Sequence, residues 1–360
     1  MTKPIIHVCA PASPASSVLE TVGVADAREL IARVQDAVGR DFRVTGKAAL
    51  LDPPFDEHRG GRRDDAARVR ELHAAFANDD VVALVAARGG GWMARILPDL
   101  DFSILDRRRR PLAVFGFSEL TPLVNLVGRR RMGRGYYFMT PGFPKSGAER
   151  HARLNARKLL PSRPPKGKAL ESFAKRWAAA RFAHDFADYF RDVTAILRGA
   201  PPQRAVSGRL VRGGLAAEAK VTLVGGCLSL VTPLTAGPYA RLADPKGKWL
   251  VLEDLEEYPY RIDRQFAHLK LAGWFERCSG VLLGDFHMGD EDQRADTLAI
   301  LDFHLRRTRD IPVVTTADVG HIWPQAVLPV GKRMTVRCET RKRGPSRVTF
   351  APPWAKWRCV

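Results

Sequence analysis

The feature that most constrains the fold is a series of short apolar runs in the first 140 residues, each followed by a helical pattern. The runs VVALVAA (81–87) and PLAVFGF (111–117) are almost continuously apolar, as strands buried on both faces of a sheet are. After the second run, Leu120, Leu123 and Val127 recur at helical spacing. Strands that alternate with helices predict an α/β fold with a parallel sheet.

The later part of the chain has a different pattern. Residues 141–205 are rich in Lys, Arg, Pro and Ala and predict a basic, partly helical connector, with a helix over about 169–198. Short β-rich segments such as KVTLVGG and KWLVLED then predict a smaller β-rich α+β domain over 206–345. With 360 residues, two domains are expected: an α/β domain over 1–140 and this second one, followed by a peripheral tail at 346–360.

The formal net charge is +19, which raises the question of an acidic partner. The positive charge is scattered, with local runs at 107–110 and 129–131, and no zinc finger or aromatic-interleaved basic motif accompanies it. We therefore expect a solvated basic surface, and nucleic acid is not expected as a partner.

The five cysteines are widely spaced and include no CxxC pair, which argues against a disulfide framework and against a structural zinc site. No apolar run approaches the roughly 18–20 residues that span a bilayer, and the start of the chain does not read as a secretory signal. We expect a cytoplasmic protein that has no membrane contact.

A serine follows the second buried strand, in FGFSELTPL (115–123). On a sharp strand-to-helix turn, Ser118 would expose its hydroxyl at the carboxyl edge of the sheet, as a nucleophile does. The segment is not a G-x-S-x-G elbow, because Leu120 occupies the last glycine position. The alternative is that Ser118 is an ordinary helix N-cap.

Three glycines follow the first buried strand, at 89–91. Glycine lets the backbone approach a ligand closely and turn its N–H groups toward an anion. The run is not a phosphate loop, because the GK[ST] element is missing. The alternative is a tight turn between a strand and a helix.

Two further residues have the chemistry of general-base catalysis. Glu253 ends an apolar strand, where a carboxylate can orient an imidazole; alternatively it caps a helix or pairs with Arg261 or Arg264. His321 lies in a loop after the strand IPVVTTA, where an imidazole can act as a base or be purely structural.

Together these segments resemble the LD-carboxypeptidase family of serine peptidases, which includes the microcin C immunity hydrolases. The resemblance covers about residues 4–140 and 205–340. It rests on the order and spacing of many elements: the PAS-like loop (Pro11 to Ser13), R-x-x-D (Arg62 to Asp65), RGG-x-x-x-R-x-L-P-x-L-D, the serine turn, GG-x-L-S (225–229), LED-x-x-E-x-P-Y-x-x-D-R, and the late G-H with a following P-x-G.

The resemblance implies a catalytic triad of Ser118, Glu253 and His321, with an oxyanion hole formed by the backbone N–H groups of Gly90 and Glu119. It implies an N-terminal domain like that of class I glutamine amidotransferases, a site between the two domains, and neither a metal nor another cofactor. The implied substrate is a small peptide with a free C-terminal carboxylate, such as a murein tetrapeptide. An alternative substrate is an aminoacyl-nucleotide conjugate, and an alternative function is that of a non-catalytic binding protein. A homodimer is compatible with the family.

Three positions depart from the family pattern. Glu119 stands where the family usually has Asp, and Cys227 stands where it usually has Asn after the paired glycines. The H-G-P element expected after the serine helix is not recognisable in YYFMTPGF (136–143).

Overall fold

The computed structural model describes residues 2–56, 60–160, 164–308, 310–341 and 344–360. The strands are β1 (Ile5–Cys9), β2 (Arg43–Gly46), β3 (Val81–Ala86), β4 (Leu112–Gly116), β5 (Gly133–Tyr137), β6 (Ser207–Arg212), β7 (Glu218–Cys227), β8 (Trp249–Leu255), β9 (Gly280–Met288), β10 (Glu291–Asp292), β11 (Val313–Thr315), β12 (Leu328–Val330), β13 (Arg333–Glu339) and β14 (Arg347–Ala351). The α-helices are α1 (Ser16–Val22), α2 (Ala27–Val38), α3 (Ala48–Leu51), α4 (Asp65–Ala77), α5 (Met93–Ile96), α6 (Thr121–Gly128), α7 (Phe143–Leu154), α8 (Ala156–Leu159), α9 (Lys168–Leu197), α10 (Leu228–Val231), α11 (Ala240–Ala243), α12 (Pro259–Leu271), α13 (Trp274–Arg277) and α14 (Arg294–Leu305).

The first sheet has the strand order β12-β5-β4-β3-β1-β2. Strands β1 to β5 run parallel, and β1, β3 and β4 are buried along their whole length. The predicted α/β fold with a parallel sheet is thus confirmed. The edge strand β12 comes from the second half of the chain and pairs antiparallel with β5, so both halves contribute to one sheet. The expected domain boundaries at 140 and 206 stay predictions.

The second sheet is the β-rich part that the sequence predicts. Its order is β10-β9-β11-β6-β14-β13-β7-β8, and β8 also pairs with β9. In the described part of the chain, seven of these strands therefore close into a barrel, with β10 added outside. The expectation of a peripheral tail at 346–360 is wrong, because β14 lies between β6 and β13. After it, the N–H of Cys359 donates to the Leu197 carbonyl, 2.8 Å away.

Helix α6, which follows Ser118, joins the two sheets through the paired glycines of β7. The side chain of Asn125 bonds both the N–H and the carbonyl of Gly225, each at 2.8 Å. A Cβ at Gly226 would lie 2.5 Å from the ring of Tyr137, so a larger residue would push the sheets apart. The glycine pair therefore permits close packing at the place where the two halves meet.

The connector is helical, and its predicted long helix is confirmed as α9. Helix α7 lies against the barrel side: Arg153 pairs with Asp290 at 2.9 Å, and Arg150 donates to the Gly289 carbonyl at 3.0 Å. Some of the basic residues of this segment thus contact the turn between β9 and β10 of the second sheet. No described helix is both long enough and apolar enough to cross a membrane.

Candidate active site

Ser118 lies two residues beyond β4, on a sharp turn at the carboxyl edge of the first sheet. Its φ angle is +57°, a left-handed conformation that non-glycine residues seldom adopt. Its backbone N–H donates to the hydroxyl of Tyr137 at 3.1 Å. The N-cap positions of the short turn and of α6 are occupied by Phe117 and Leu120, neither with a side-chain capping bond, so the N-cap alternative for Ser118 is not supported. Strain of this kind clusters at functional sites.

Glu253, near the end of β8, is bound to His321. Nδ1 of His321 lies 2.8 Å from Oε2 of Glu253, and both residues are buried. The hydroxyl of Tyr137 donates to the other carboxylate oxygen. The alternative pairing with Arg261 or Arg264 is wrong: the Arg261 guanidinium lies 3.7 Å from Glu257, and that of Arg264 lies over the ring of Tyr260. A carboxylate in this position fixes the imidazole tautomer that leaves Nε2 free to accept a proton.

The charge around His321 favours its protonated form. Burial lowers the pKa of the imidazole, but the attraction of the Glu253 carboxylate and its hydrogen bond outweigh burial, and the pKa is raised above 6.5. Asp254 and Asp285 add to the same effect. An imidazole with a raised pKa is a stronger base once it is neutral.

Ser118 is connected to His321 through neighbouring residues and not by a direct bond. The ring of Phe117, the residue before the serine, lies 4.7 Å from the imidazole, centroid to centroid. No hydrogen bond joins the Ser118 hydroxyl to His321 in the described chain. In ligand-free structures such catalytic bonds are often open and form only with substrate. The structure thus brings Glu253 and His321 into contact and connects the Ser118 turn to this pair through Tyr137.

The glycine loop passes directly over Ser118. A Cβ at Gly89 would lie 3.3 Å from the serine Cβ. Ser13, in the loop after β1, fixes this backbone: its N–H donates to the Gly89 carbonyl at 3.1 Å and its hydroxyl accepts from the Gly91 N–H at 3.0 Å. Gly90 has φ +95°, and a Cβ there would overlap the Ser13 hydroxyl. Glycine is therefore required at this position by both conformation and space.

Glu119 connects the serine turn to the same loop. Its carboxylate accepts from the N–H of Met93, 2.8 Å away in the helix that follows the glycines. Burial raises the pKa of Glu119, and the backbone donors Met93 and Ala94 oppose that rise. The side chain of Glu119 thus holds the loop in place, while its backbone N–H is the predicted oxyanion donor.

Cys227, at the other departure from the family pattern, is a buried thiol that bonds Asp254 at 3.4 Å. Burial raises the pKa of Cys227 well above its ordinary value, and the Asp254 and Glu253 charges act in the same direction. The thiol therefore stays protonated, and its nucleophilic form is suppressed. Burial and the Glu253 charge also raise the pKa of Asp254, to about 6.

Two buried arginines hold the loops around the site. Arg62 donates to the carbonyls of Ala12 at 2.8 Å and Leu50 at 2.9 Å, and Arg68 donates to Pro11 at 2.6 Å and to Trp92 at 3.1 Å. Both guanidiniums also pair with acids at the start of α4. The sequence singled out the R-x-x-D element without a role, and the structure shows that it fixes the loop after β1.

Replacing Arg62 is expected to destabilise the fold. Arg62→Ala leaves buried carbonyls without a donor and Asp64 without its charge partner, which costs about 3–5 kcal/mol of unfolding free energy. Urea unfolding measures the loss. The control is Arg63→Ala, which removes the neighbouring exposed charge and should change stability by less than about 0.5 kcal/mol. Equal stability of the two variants would contradict the anchoring role.

Tyr137 is the site residue that sequence reasoning missed. Its hydroxyl accepts from the N–H of Ser118 and donates to Glu253, so one side chain connects the serine turn to the carboxylate. A signal was present, because Tyr137 ends β5, the strand next to β4, directly opposite Gly116.

Comparison with known proteins assigns the family. The model of the LD-carboxypeptidase N-terminal domain matches residues 6–137, and that of the C-terminal domain matches residues 220–336. A putative carboxypeptidase of Streptomyces coelicolor is 30% identical over 302 residues, covering 78% of this chain and 79% of the relative. This chain belongs to the LD-carboxypeptidase family. The two matched ranges contain Ser118, Glu253 and His321.

Other relatives agree with this assignment. The chain is 26% identical over 274 residues to a probable murein peptide carboxypeptidase of Bacillus subtilis, covering 75% of this chain and 73% of the relative. A crystal structure of an MccF-like protein from Bacillus anthracis superimposes with a TM-score of 0.63 at 18% identity, covering 98% of both chains. At that identity the likeness concerns the fold. No group of three or more potential ligands among the described residues could hold a metal ion.

Proposed function

We propose that this LD-carboxypeptidase family member is a serine hydrolase that removes the C-terminal residue of murein peptides, by cleaving an amide bond next to a free carboxylate. The observation that supports it most is the buried Glu253–His321 pair beside a serine on a strained turn. The murein peptide carboxypeptidase names of relatives support the substrate class. Five buried thiols, none joined in a disulfide, support action in the cytoplasm.

In the proposed reaction, His321 takes the proton of the Ser118 hydroxyl as that oxygen attacks the scissile carbonyl. Glu253 holds the imidazole and stabilises its charged form. The backbone N–H groups of Gly90 and Glu119 take the negative charge on the carbonyl oxygen. His321 then protonates the leaving amine, and water hydrolyses the acyl-enzyme with the same base. The step requires the serine hydroxyl to turn toward His321 when substrate binds.

Arg88 is our proposed ligand for the substrate carboxylate. Its Nε lies 3.9 Å from the position of a Cβ on Gly90, next to the proposed oxyanion site. The half-buried guanidinium makes no hydrogen bond or ion pair with another described residue, so its donors are available. Arg95 is already engaged, with Asp65 at 2.9 Å and the Gly60 carbonyl at 3.1 Å. A free guanidinium can hold a carboxylate with two parallel bonds.

A murein tetrapeptide is expected to be cleaved about tenfold to a hundredfold better, in kcat/KM, than the same peptide with a C-terminal amide. The amide has no charged C-terminus, so the proposed contact with Arg88 is lost. Arg88→Ala should bring the two rates together, while Arg95→Ala should keep their ratio. Chromatography of the released residue measures all six rates. Equal turnover of the acid and the amide by the wild type would contradict the carboxypeptidase proposal and would indicate a general amidase.

The same assay distinguishes the alternatives that the sequence left open. Aminoacyl-sulfamoyl adenylates are the appropriate comparison substrates, because a solved family structure, the microcin C7 self-immunity protein, is in complex with aspartyl sulfamoyl adenosine. Preference for these conjugates over the tetrapeptide would assign the chain to nucleotide-conjugate hydrolysis. Absence of turnover together with absence of labelling by a fluorophosphonate would indicate a binding protein.

A further inference from the structure

A cavity lies on the barrel, against β6, β11 and β14. It has a volume of about 640 Å³, which is within the range of small-molecule sites. Neither Ser118, Glu253 nor His321 is among the residues that line it. The cavity is thus separate from the site described above.

Its lining is strongly basic. Four arginines of the described part of the chain line the cavity: Arg209, Arg294, Arg341 and Arg347. The acid that lines it, Asp318, already accepts from the N–H of Ser207 at 2.8 Å and pairs with Arg204 at 3.3 Å. Its carboxylate is therefore already engaged by Ser207 and Arg204, and it forms no ion pair with an arginine of the described lining.

Two of these arginines face each other directly. In the antiparallel pair of β6 and β14, Arg347 is the register partner of Arg209. Such partners project from the same face with Cβ atoms about 4.5–5.5 Å apart, and like charges there are destabilising. Neither guanidinium forms an ion pair with any described residue, whereas Arg294 pairs with Asp292. An anion bound between Arg209 and Arg347 would remove this repulsion.

The lining also narrows the ligand class. The hydroxyl of Thr315 lies at the same cavity, whereas those of Ser207 and Thr316 already donate to Asp318 and to the Ser207 carbonyl. None of the described lining residues is aromatic. A nucleobase would therefore find no stacking surface, whereas phosphate oxygens would find several donors. Arginine forks bind phosphate with paired hydrogen bonds. We propose that this cavity binds a small anion with two or more phosphate groups, through Arg209 and Arg347.

The probe is inorganic pyrophosphate, titrated calorimetrically into the full chain at about 0.15 M salt in metal-free buffer. We expect saturable binding at one site, with citrate binding at least tenfold more weakly. The double variant Arg209→Ala/Arg347→Ala should weaken pyrophosphate binding by about tenfold to a hundredfold. The double variant Arg209→Lys/Arg347→Lys keeps the charge but loses the forks, and should be intermediate.

The matched control removes two exposed arginines from the other domain, Arg28→Ala/Arg33→Ala, and should bind as the wild type does. Thermal unfolding provides the folding check: loss of the Arg209–Arg347 repulsion should leave the melting temperature unchanged or higher. Lack of saturable binding, equal binding by the two double alanine variants, or equal affinity for citrate would each overturn the proposal.

Discussion

Ser118→Ala is expected to reduce kcat for tetrapeptide cleavage by about 10⁴–10⁶-fold, while the fold and substrate binding persist. The substitution removes the oxygen that forms the acyl bond and leaves the turn, the glycine loop and the Glu253–His321 pair in place. Stopped assays with mass-spectrometric detection of the product cover this range of rates.

The matched control for this variant is Ser146→Ala. Ser146 is an exposed serine near the start of α7, and its hydroxyl bonds only the Phe143 carbonyl of its own helix. Its loss should leave kcat within about twofold of the wild type, since exposed substitutions rarely disturb a fold. Residual activity of Ser118→Ala within tenfold of the wild type would rule Ser118 out as the nucleophile.

Glu253→Gln is expected to reduce kcat by about 10⁴-fold, the size of effect seen when a triad carboxylate becomes an amide. The amide keeps the volume of the side chain but removes the charge that stabilises the imidazolium. Its NH₂ group must also face either the hydroxyl of Tyr137 or Nδ1 of His321, each of which bonds a carboxylate oxygen in the native site. Steady-state kinetics over a range of pH measures the change.

The pH profile gives this variant a second readout. The base must be neutral, so activity falls as pH drops through the pKa of His321, which Glu253 raises above 6.5. Glu253→Gln removes the cause of the shift and should move the acid limb to lower pH. The control Glu257→Gln, on the same segment, breaks only the contact with Arg261 and should keep both kcat and the profile. An unshifted acid limb in Glu253→Gln would contradict the proposed role.

The sequence predicts those parts of the candidate site that follow the ends of neighbouring strands. Ser118 follows β4 and the glycine loop follows β3, and neighbouring parallel strands bring such loops to one edge of a sheet. The apolar runs alone therefore predict that these two segments meet. Glu253 and His321 needed the family resemblance as well, because they belong to a different sheet and to a loop far along the chain.

Other features depend on contacts that no periodicity reveals. The bond from Tyr137 to Glu253 crosses between the two sheets and joins residues 116 positions apart. The bond from Ser118 to Tyr137 then connects the serine turn to the same carboxylate. The place of β14 inside the barrel was missed because a short strand followed by Pro and Trp has the composition of a chain end. Tertiary pairing, rather than local pattern, decides such elements.

Whether Ser118 is an activated nucleophile can be determined by locating a covalent adduct. The protein is labelled with a fluorophosphonate, digested, and the modified peptide sequenced by mass spectrometry. We predict one adduct, on Ser118, and its formation should follow the same time course as the loss of tetrapeptide cleavage. In Glu253→Gln the adduct should form far more slowly. Cleavage that continues without an adduct, or inactivation with the label on another residue, would contradict it.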